Sequence, residues 1–377
     1  MDSRKKKYLF VYLNTGGGHL APARAISNYY QKYYPDEIET VLVNPMEKTN
    51  KILRFVLEDC YRILQGKAKW LYEAIYALFK LKAVSTSSAG VVVKRVSGYL
   101  EEIVLREKPD KIVVFHFYLI APVYYVIEKN KLSVPVSTVV TDPYTAHPLW
   151  FLRKDQDFII FSEALKNKCV LRGISEKNLK VLPFIVNEKF SRQATETELS
   201  AFRNKFGFGK DPVVLILGGG DGIPHGSTIL KNLLGVNARF DIAIVCGKNK
   251  ELYQEATALK NSGQLERLIV YGYVDFVYEL ISVSDIVITK CGASTFMEIL
   301  MLGKVPIVSS YLWEQEKGNV DFLIANDLGL YEKNVHKLPA IVERLLNDTE
   351  YMNKFKQNIG KFHLENGTAA AAEFIKL

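Results

Sequence analysis

The sequence has few of the features that mark metal-binding, disulfide-rich or membrane-spanning proteins. Its 377 residues include only four cysteines and no CxxC pair, which argues against a zinc site or a disulfide framework and suits reduced thiols. No apolar run approaches the roughly 18 residues of a membrane span. The apolar stretch after the basic first residues, Tyr8 to Leu13, is too short for a signal peptide. We therefore expect a cytosolic protein of about two globular domains.

Three common signatures of nucleotide or metal sites are also missing. The glycine turn at residues 14–19 lacks the Gly-Lys-Ser/Thr of a Walker A motif, and it does not follow the GxGxxG pattern of dinucleotide-binding folds. Asp155-Gln156-Asp157 has the spacing of a DxD metal motif, but it precedes an apparent strand instead of lying in a catalytic loop. We expect no bound metal and no cofactor.

Positive charge is concentrated in one segment. Lysine and arginine number 49 against 41 acidic residues, and many of them lie between Lys48 and Arg95 beside apolar helical faces and aromatic side chains. Basic amphipathic helices of this kind lie on anionic bilayers, although the same helices would also suit packing on a sheet with lysines facing water. We expect a membrane-surface contact and no nucleic-acid module. The residues selected for it are Lys67, Lys69, Trp70, Lys80 and Lys82.

The first half reads as a doubly wound α/β domain with polar residues at its strand ends. A β-rich run at Tyr8–Leu13 leads through three glycines to His19 and a helix. Later runs end at His116 and at Asp142, and a loop carrying His147 and Trp150 follows. Open α/β sheets bind ligands at the carboxyl ends of their strands, so we expect these side chains to converge. The neutral imidazole of His19 or the carboxylate of Asp142 is the predicted base.

The second half repeats this rhythm after a polar, irregular linker at residues 183–197. A strand at Val213–Leu217 precedes the glycine turn that contains Gly220, and Val274 follows another strand, where its backbone suits contact with a flat base. We place the domains at residues 1–186 and 187–365, with a final helix at 366–377 that packs back on the first domain.

One stretch of this half has the features of a phosphate site. A buried strand at residues 286–288 leads through Cys291–Thr295, a turn of small residues, into a helix predicted at 296–302. Unpaired N–H groups and the helix dipole favour an anion there. Glu298 lies one turn further on, in reach of a ribose, and three polar side chains follow on the next loop and helix start: Gln315, Glu316 and Asn319.

These motifs together resemble the GT-B glycosyltransferases of the family that holds monogalactosyldiacylglycerol synthases, processive diacylglycerol glucosyltransferases and MurG. The likeness is closest to the diacylglycerol branch, and four segments are similar to its motifs: Thr15–His19 (TGGGH), residues 139–142 with 147–150 (VVTD and HPLW), Gly272–Val274 (GFV) and Gln315–Asn319 (QEEGN). The sequence departs from the family pattern at Leu20, Ala293, Ser294 and Glu314.

The resemblance implies two Rossmann-like domains facing across a cleft, and an inverting, metal-independent transfer of glucose or galactose from a UDP-sugar to diacylglycerol at the cytoplasmic membrane surface. It assigns uracil to the Val274 backbone, the diphosphate to Ser294 and Thr295, and ribose to Glu298, and it counts Gly220 and Gly292 among the donor-binding residues. It also implies that Gln315, Glu316 and Asn319 orient the sugar hydroxyls and the phosphates. His19 or Asp142 is the base, with His147 supporting, and His116 and Trp150 contact the acceptor.

Three alternatives stay open. A MurG-like enzyme acting on a polyprenyl-pyrophosphate-linked sugar would share the fold, but the HPLW segment and the basic insert favour diacylglycerol. A UDP-sugar 2-epimerase would also share the fold and would have no use for a membrane-binding insert. A non-catalytic nucleotide-binding protein would not need His19, Asp142, Glu298 and Gln315 together.

Overall fold

The computed structural model describes residues 4–14, 17–48, 82–265 and 267–377. It divides into two compact units, one formed by Met1–Glu188 with Asn366–Leu377 and the other by Lys189–Glu365. Each unit contains a six-stranded parallel sheet. Among the helices of the described ranges, none is both long and apolar enough to cross a bilayer.

The first unit has the sheet order β2-β1-β3-β4-β5-β6. Its strands are β1 (Lys6–Val11), β2 (Ile38–Val43), β3 (Lys111–Val114), β4 (Val136–Val139), β5 (Asp157–Ile160) and β6 (Leu179–Val181). Its described helices are α1 (Gly17–Tyr33), α2 (Lys82–Glu107), α3 (Ile120–Lys129) and α4 (Glu163–Leu171), together with the last helix of the chain, α13 (Thr368–Lys376).

Strand β1 shows why this sheet is covered on both faces. Leu9 and Val11 belong to one buried core, whereas Tyr8 and Phe10 belong to the other. A strand that is apolar on both faces is typical of a parallel sheet between two helical layers. Helix α13 closes one layer, since the Tyr30 hydroxyl on α1 donates a 2.6 Å hydrogen bond to the Ala372 carbonyl.

The second unit has the sheet order β12-β11-β10-β7-β8-β9. Its strands are β7 (Val213–Leu217), β8 (Asp241–Val245), β9 (Leu268–Tyr271), β10 (Ile286–Lys290), β11 (Val305–Ser310) and β12 (Leu330–Tyr331). Its helices are α5 (Glu196–Phe206), α6 (Gly226–Leu233), α7 (Lys250–Asn261), α8 (Val277–Val283), α9 (Ala293–Met301), α10 (Trp313–Ala325), α11 (Leu338–Asn347) and α12 (Thr349–Lys361).

Both sheets have a topological switch point. The chain winds outwards in opposite directions from β1 and β3 in the first unit, and from β7 and β10 in the second. Ligands of open α/β sheets bind outside the carboxyl ends of the strands at such points. Each unit therefore has one edge where a ligand site is expected.

Three helix predictions need correction. The residue pattern predicts a separate helix that begins near Val96, after the basic segment, whereas helix α2 is continuous from Lys82 to Glu107. Gly90 and Gly98 lie within it with open space around them; glycine weakens a helix but does not block it as proline does.

The other two corrections concern the second unit. Helix α9 begins at Ala293, three residues before its predicted start, because the small residues of the turn already adopt helical geometry. Helix α10 begins at Trp313 and so contains Gln315, Glu316 and Asn319, which were predicted partly on a loop. The predicted basic helices between residues 49 and 81, with Lys67, Lys69, Trp70 and Lys80, lie outside the described residues, and Lys82 is the first residue of α2.

Candidate functional site

Two histidines from neighbouring strand ends meet at the switch point of the first unit. His19 lies in the first turn of α1, after β1, and His116 follows β3. Their ring centroids are 4.4 Å apart, and both side chains are buried. His19 Nδ1 is also 2.7 Å from the Thr141 hydroxyl, which lies just beyond β4. Three adjacent strands thus contribute to one cluster.

Burial keeps both imidazoles in their neutral form. Desolvation lowers the pKa of His19 to about 4, and a hydrogen bond with the Phe115 backbone only partly offsets it. The pKa of His116 also lies well below its usual value, because of burial and the neighbouring His19. A neutral imidazole has a lone pair that can accept a proton. At neutral pH, His19 is therefore in the state that a general base requires.

Asp142 is fixed in the same cluster by Trp150. The indole Nε1 donates a 2.7 Å hydrogen bond to Asp142 Oδ2, and both side chains are buried. Trp150 lies on a short 3-10 helix, Pro148–Phe151, and its ring packs 6.2 Å from that of His19. A carboxylate held by a buried N–H donor has a defined orientation.

The side chains of His147 and His116 each cap a short 3-10 helix. His147 Nδ1 accepts from the Leu149 N–H and His116 Nδ1 from the Tyr118 N–H, both at 3.2 Å. When Nδ1 accepts in a neutral ring, the proton lies on Nε2. The His116 ring therefore presents an N–H donor at Nε2, which suits binding a hydroxyl oxygen and does not suit removing its proton, whereas His147 has a further interaction besides this cap.

Phe117 joins His147 to the rest of the cluster. It packs 5.4 Å from His147 and 5.6 Å from Trp150, measured between ring centroids. The structure thus brings together the five candidates predicted at the strand ends of this half. Phe117 and the Thr141 hydroxyl complete the cluster and were missed as individual residues, although each is adjacent in sequence to a candidate.

The second unit has an open helix N-terminus at its own switch point. Helix α9 starts after Gly292, which makes no side-chain cap to the first N–H groups. Ser294 and Thr295 lie in this first turn, partly exposed, and the Ser294 hydroxyl oxygen is buried with no hydrogen-bond partner among the described residues. Uncapped N–H groups, the helix dipole and a free hydroxyl all favour an anion.

Glu298 lies one turn further along α9. Its side chain is partly exposed, and no hydrogen bond or ion pair from the described residues reaches its carboxylate. Burial of the carboxyl raises its pKa to about 7. A carboxylate without a protein partner at the edge of an anion site is suited to accept hydrogen bonds from a ligand's hydroxyls.

Two residues of α10 brace the turn before α9. Glu316 Oε2 accepts a 2.6 Å hydrogen bond from the Leu312 N–H, and its Oε1 lies 3.6 Å from the point where a Cβ on Gly292 would be. Asn319 Nδ2 donates to the Cys291 carbonyl at 2.9 Å, while its buried Oδ1 has no partner among the described residues. Gln315, on the same helix, is partly exposed and has a partner.

The remaining donor-site candidates follow the neighbouring strands. Gly220 is exposed in the turn after β7, and its carbonyl accepts a 2.8 Å hydrogen bond from the Lys248 N–H. This turn is tight, since a Cβ on Gly218 would lie 2.1 Å from the Gly222 carbonyl oxygen. Val274 follows β9 and is partly exposed. All the second-unit candidates thus occupy the carboxyl edge of β9, β7 and β10, or the start of α10.

Within the described ranges, no group of three or more His, Cys, Asp or Glu side chains is arranged to hold a metal ion. Asp155 and Asp157, the DxD-spaced pair, lie before and at the start of β5. That is the amino end of the strand, opposite the edge where the histidine cluster lies.

Comparison with known proteins gives matches along most of the chain. The model of the monogalactosyldiacylglycerol (MGDG) synthase family matches residues 19–184, and that of the glycosyltransferase family 28 C-terminal domain matches residues 213–365. A processive diacylglycerol beta-glucosyltransferase from Bacillus pumilus is 26% identical over 98% of this chain and 94% of its own length.

Plant enzymes and a solved structure extend the comparison. A probable chloroplastic MGDG synthase from Nicotiana tabacum is 26% identical over 89% of this chain, which spans 64% of that relative's length. The crystal structure of Acinetobacter baumannii MurG superposes with a TM-score of 0.60 at 14% identity, covering 98% of this chain and 99% of that one. At that identity the likeness shows the fold alone, and it confirms the predicted GT-B architecture.

The two family matches fall on different units, the first containing the histidine cluster and the second containing the α9 anion site. Together with the relatives matched along the chain, they identify a GT-B glycosyltransferase that is similar to the MGDG synthases and the diacylglycerol glucosyltransferases.

Proposed function

We propose that this protein transfers glucose or galactose from a UDP-sugar to the hydroxyl of diacylglycerol, with inversion at the anomeric carbon. The observation that carries the proposal is the match to a processive diacylglycerol glucosyltransferase over 98% of the chain. The polar clusters at the two switch points supply the groups that this chemistry needs.

The second unit is the proposed donor site. The uncapped first turn of α9 and the Ser294 hydroxyl suit the diphosphate, where they would stabilise the negative charge of the leaving UDP. The Glu298 carboxylate has no partner within the described part of the chain, which suits the ribose hydroxyls. The backbone around Val274 and Gly220 is assigned to the base and the phosphates.

The sugar-binding roles in the donor site follow from charge. Glu316 Oε1 lies beside Gly292. A carboxylate repels phosphate but accepts hydrogen bonds from the hydroxyls of a sugar. Asn319 Oδ1, next to the same turn, has no partner among the residues that the structure describes and can accept a hydrogen bond. Gln315 lies one residue before Glu316 on α10. We assign these three residues to the transferred hexose, with Glu316 and Asn319 also bracing the turn.

The first unit is the proposed acceptor site. His19 accepts the proton of the diacylglycerol hydroxyl as its oxygen attacks the anomeric carbon, and Asp142 is the alternative base. We assign His116 to the acceptor hydroxyl, since its ring accepts at Nδ1 and carries its proton on Nε2, and we assign His147 a supporting role. Trp150 orients Asp142 and provides an apolar wall for the acceptor.

The basic segment between Lys48 and Arg95 is the proposed contact with the cytoplasmic face of an anionic membrane. Lys67, Lys69, Trp70, Lys80 and Lys82 combine positive charge with an interfacial aromatic ring. A lipid acceptor is extracted most readily by an enzyme that lies on the surface containing it.

The experiment that tests the function is a donor and acceptor panel. The protein is incubated with UDP-glucose, UDP-galactose or UDP-N-acetylglucosamine and with diacylglycerol or a polyprenyl-pyrophosphate-linked sugar, and both lipids and nucleotide sugars are analysed by mass spectrometry. The proposal predicts a hexosyl-diacylglycerol from one of the donors. Transfer only to the polyprenyl substrate would favour the MurG-like alternative. Conversion of UDP-N-acetylglucosamine to its 2-epimer without lipid product would favour the epimerase.

A further inference from the structure

Lys290 is the last residue of β10, and its position in the sheet is irregular. Thr289 pairs with Val308 on β11, but Lys290 pairs with Ser310. Strand β11 therefore contains one extra residue between these two pairs. Such a β-bulge twists the strands locally and re-aims side chains, and bulges are frequent next to active sites. The bulge lies at the carboxyl end of β10, which is the switch point of the second unit.

The Lys290 side chain lies between the two glycine turns of this unit. Its Cε is 3.8 Å from the point where a Cβ on Gly219 would be, and 3.9 Å from the corresponding point on Gly292. These turns follow β7 and β10, which are neighbours in the sheet. The absence of a side chain at both positions leaves room for the lysine stem above the edge of the sheet.

No hydrogen bond or ion pair from the described residues reaches the Lys290 ammonium. Other lysines of the same unit are paired, as Lys317 is with Asp321 and Lys354 with Asp327. Lys290 is partly buried, so its charge is less well solvated than that of a surface lysine. A partly buried cation without a protein counter-ion is suited to an anionic ligand.

The negative charges of the neighbouring groups favour a cation at this position. The Glu316 carboxylate lies against Gly292, and Glu298 lies one turn into α9. Two carboxylates beside the anion site would weaken the binding of a diphosphate by repulsion. The helix N-terminus supplies only about half a positive charge, whereas a nucleoside diphosphate carries at least two negative charges. A lysine between the two turns supplies positive charge that offsets this repulsion.

The geometry points to Lys290 as the residue that binds the diphosphate of the nucleotide donor and stabilises its charge as it leaves. This inference rests on the proposed function. In the transfer step, the bond from the anomeric carbon to the diphosphate oxygen breaks and its electron pair stays on that oxygen. The acceptor oxygen bonds to the anomeric carbon and its proton passes to the base. Lys290 takes no part in this proton transfer and donates a hydrogen bond to the leaving phosphate.

The test compares UDP with uridine, which lacks the phosphates. Titration calorimetry measures both ligands with the wild-type protein, Lys290→Met, Lys290→Arg and Lys354→Met. The last variant removes the same charge from the same unit at a lysine paired with Asp327. Loss of a charge-assisted hydrogen bond should weaken UDP binding by roughly 10- to 100-fold in Lys290→Met. Uridine affinity should stay within about twofold, which also shows that the site is folded.

The UDP affinities of the other two variants and the salt dependence of UDP binding complete the test. Lys290→Arg should recover most of the UDP affinity, and Lys354→Met should leave it unchanged. The wild-type affinity for UDP should fall with added salt more steeply than that of Lys290→Met, because one ion contact is lost in the variant. Equal UDP affinity in wild type and Lys290→Met would overturn the role of Lys290 and leave the proposed function intact. Failure of the wild-type protein to bind UDP at all would overturn both.

Discussion

The indole Nε1 of Trp150 donates a 2.7 Å hydrogen bond to Oδ2 of Asp142, and Trp150 has no exposed surface. The two residues are only eight positions apart, yet Asp142 follows β4 while Trp150 lies on the short helix that begins after His147. The bond folds this loop back over the carboxyl end of the sheet. It therefore orients a carboxylate at the proposed acceptor site.

Replacing Trp150 with phenylalanine tests this role, because phenylalanine keeps the apolar packing and removes the donor. We expect the free energy of unfolding of the first unit to fall by about 1.5–3 kcal/mol, as for a lost hydrogen bond to a charged group. We also expect kcat to fall at least tenfold, since the carboxylate loses its orientation. Phe151→Leu is the control, as Phe151 is buried in the same short helix and packs on Phe158; it should reduce stability with little change in kcat. Unchanged kcat in Trp150→Phe would contradict the role.

A second prediction concerns the base. His19→Gln keeps a side chain that can hydrogen-bond the Thr141 hydroxyl but cannot take up a proton at neutral pH. We expect kcat to fall by roughly 10²- to 10⁴-fold, the usual contribution of a general base, with the Kd for UDP unchanged. Asp142→Asn is measured beside it, and Ser27→Ala, a buried change elsewhere on α1, is the control. If His19→Gln turns over almost normally and Asp142→Asn does not, the base is Asp142.

The raised pKa of Glu298 predicts that ligand affinity depends on pH. Its carboxyl has a pKa of about 7 in the free protein, and ribose hydroxyls donating to the carboxylate would lower that pKa in the complex. Affinity should therefore be full above pH 7 and fall as the pH drops, by up to about tenfold per unit. Uridine is the ligand of choice, because phosphates titrate near pH 6 themselves.

Glu298→Gln provides the control for this titration. The amide cannot titrate, so its uridine affinity should be lower than that of the wild type at pH 8 and flat between pH 5.5 and 8. A wild-type affinity that is equally flat over this range would exclude Glu298 as the ribose ligand.

The basic segment predicts binding to anionic membranes. Reversing Lys67, Lys69, Lys80 and Lys82 to glutamate should reduce flotation with phosphatidylglycerol-containing vesicles by at least 100-fold, since each lysine near such a surface contributes about 1 kcal/mol. Uridine binding in the second unit should not change. A control variant makes the same net charge change at four exposed lysines of the second unit: Lys210, Lys231, Lys260 and Lys333. Equal losses in both variants would mean that net charge, and not this segment, determines binding.

Much of the fold is predictable from local pattern. Short runs of valine, isoleucine and leucine, each followed by glycines or polar residues, predict buried parallel strands and the positions of their carboxyl ends. That rule alone places His19, His116 and Asp142 at one edge, and the structure brings them together. The predicted doubly wound α/β domains of the GT-B type and the glycosyltransferase class are confirmed; the domain boundaries and the roles of individual site residues stay predictions.

What could not be predicted depends on contacts between distant residues. The hydrogen bond between His19 and Thr141 joins positions 122 residues apart, and no local pattern encodes it. Lys290 has an ordinary place at the end of a strand, and only the bulge against β11 and the glycine at 219 reveal where its side chain lies. Charge composition predicts a boundary at Arg95, whereas the backbone of helix α2 is continuous through that residue.

The most direct test of the account is the stoichiometry of one reaction. The protein is mixed with diacylglycerol in anionic vesicles and with UDP-glucose or UDP-galactose, and released UDP and hexosyl-lipid are quantified in the same tube. We predict one β-linked hexose on lipid for each UDP released in the first transfer, with both products formed at least about 100-fold more slowly by His19→Gln. Release of UDP without any hexosyl-diacylglycerol, or no reaction with either donor, would contradict it.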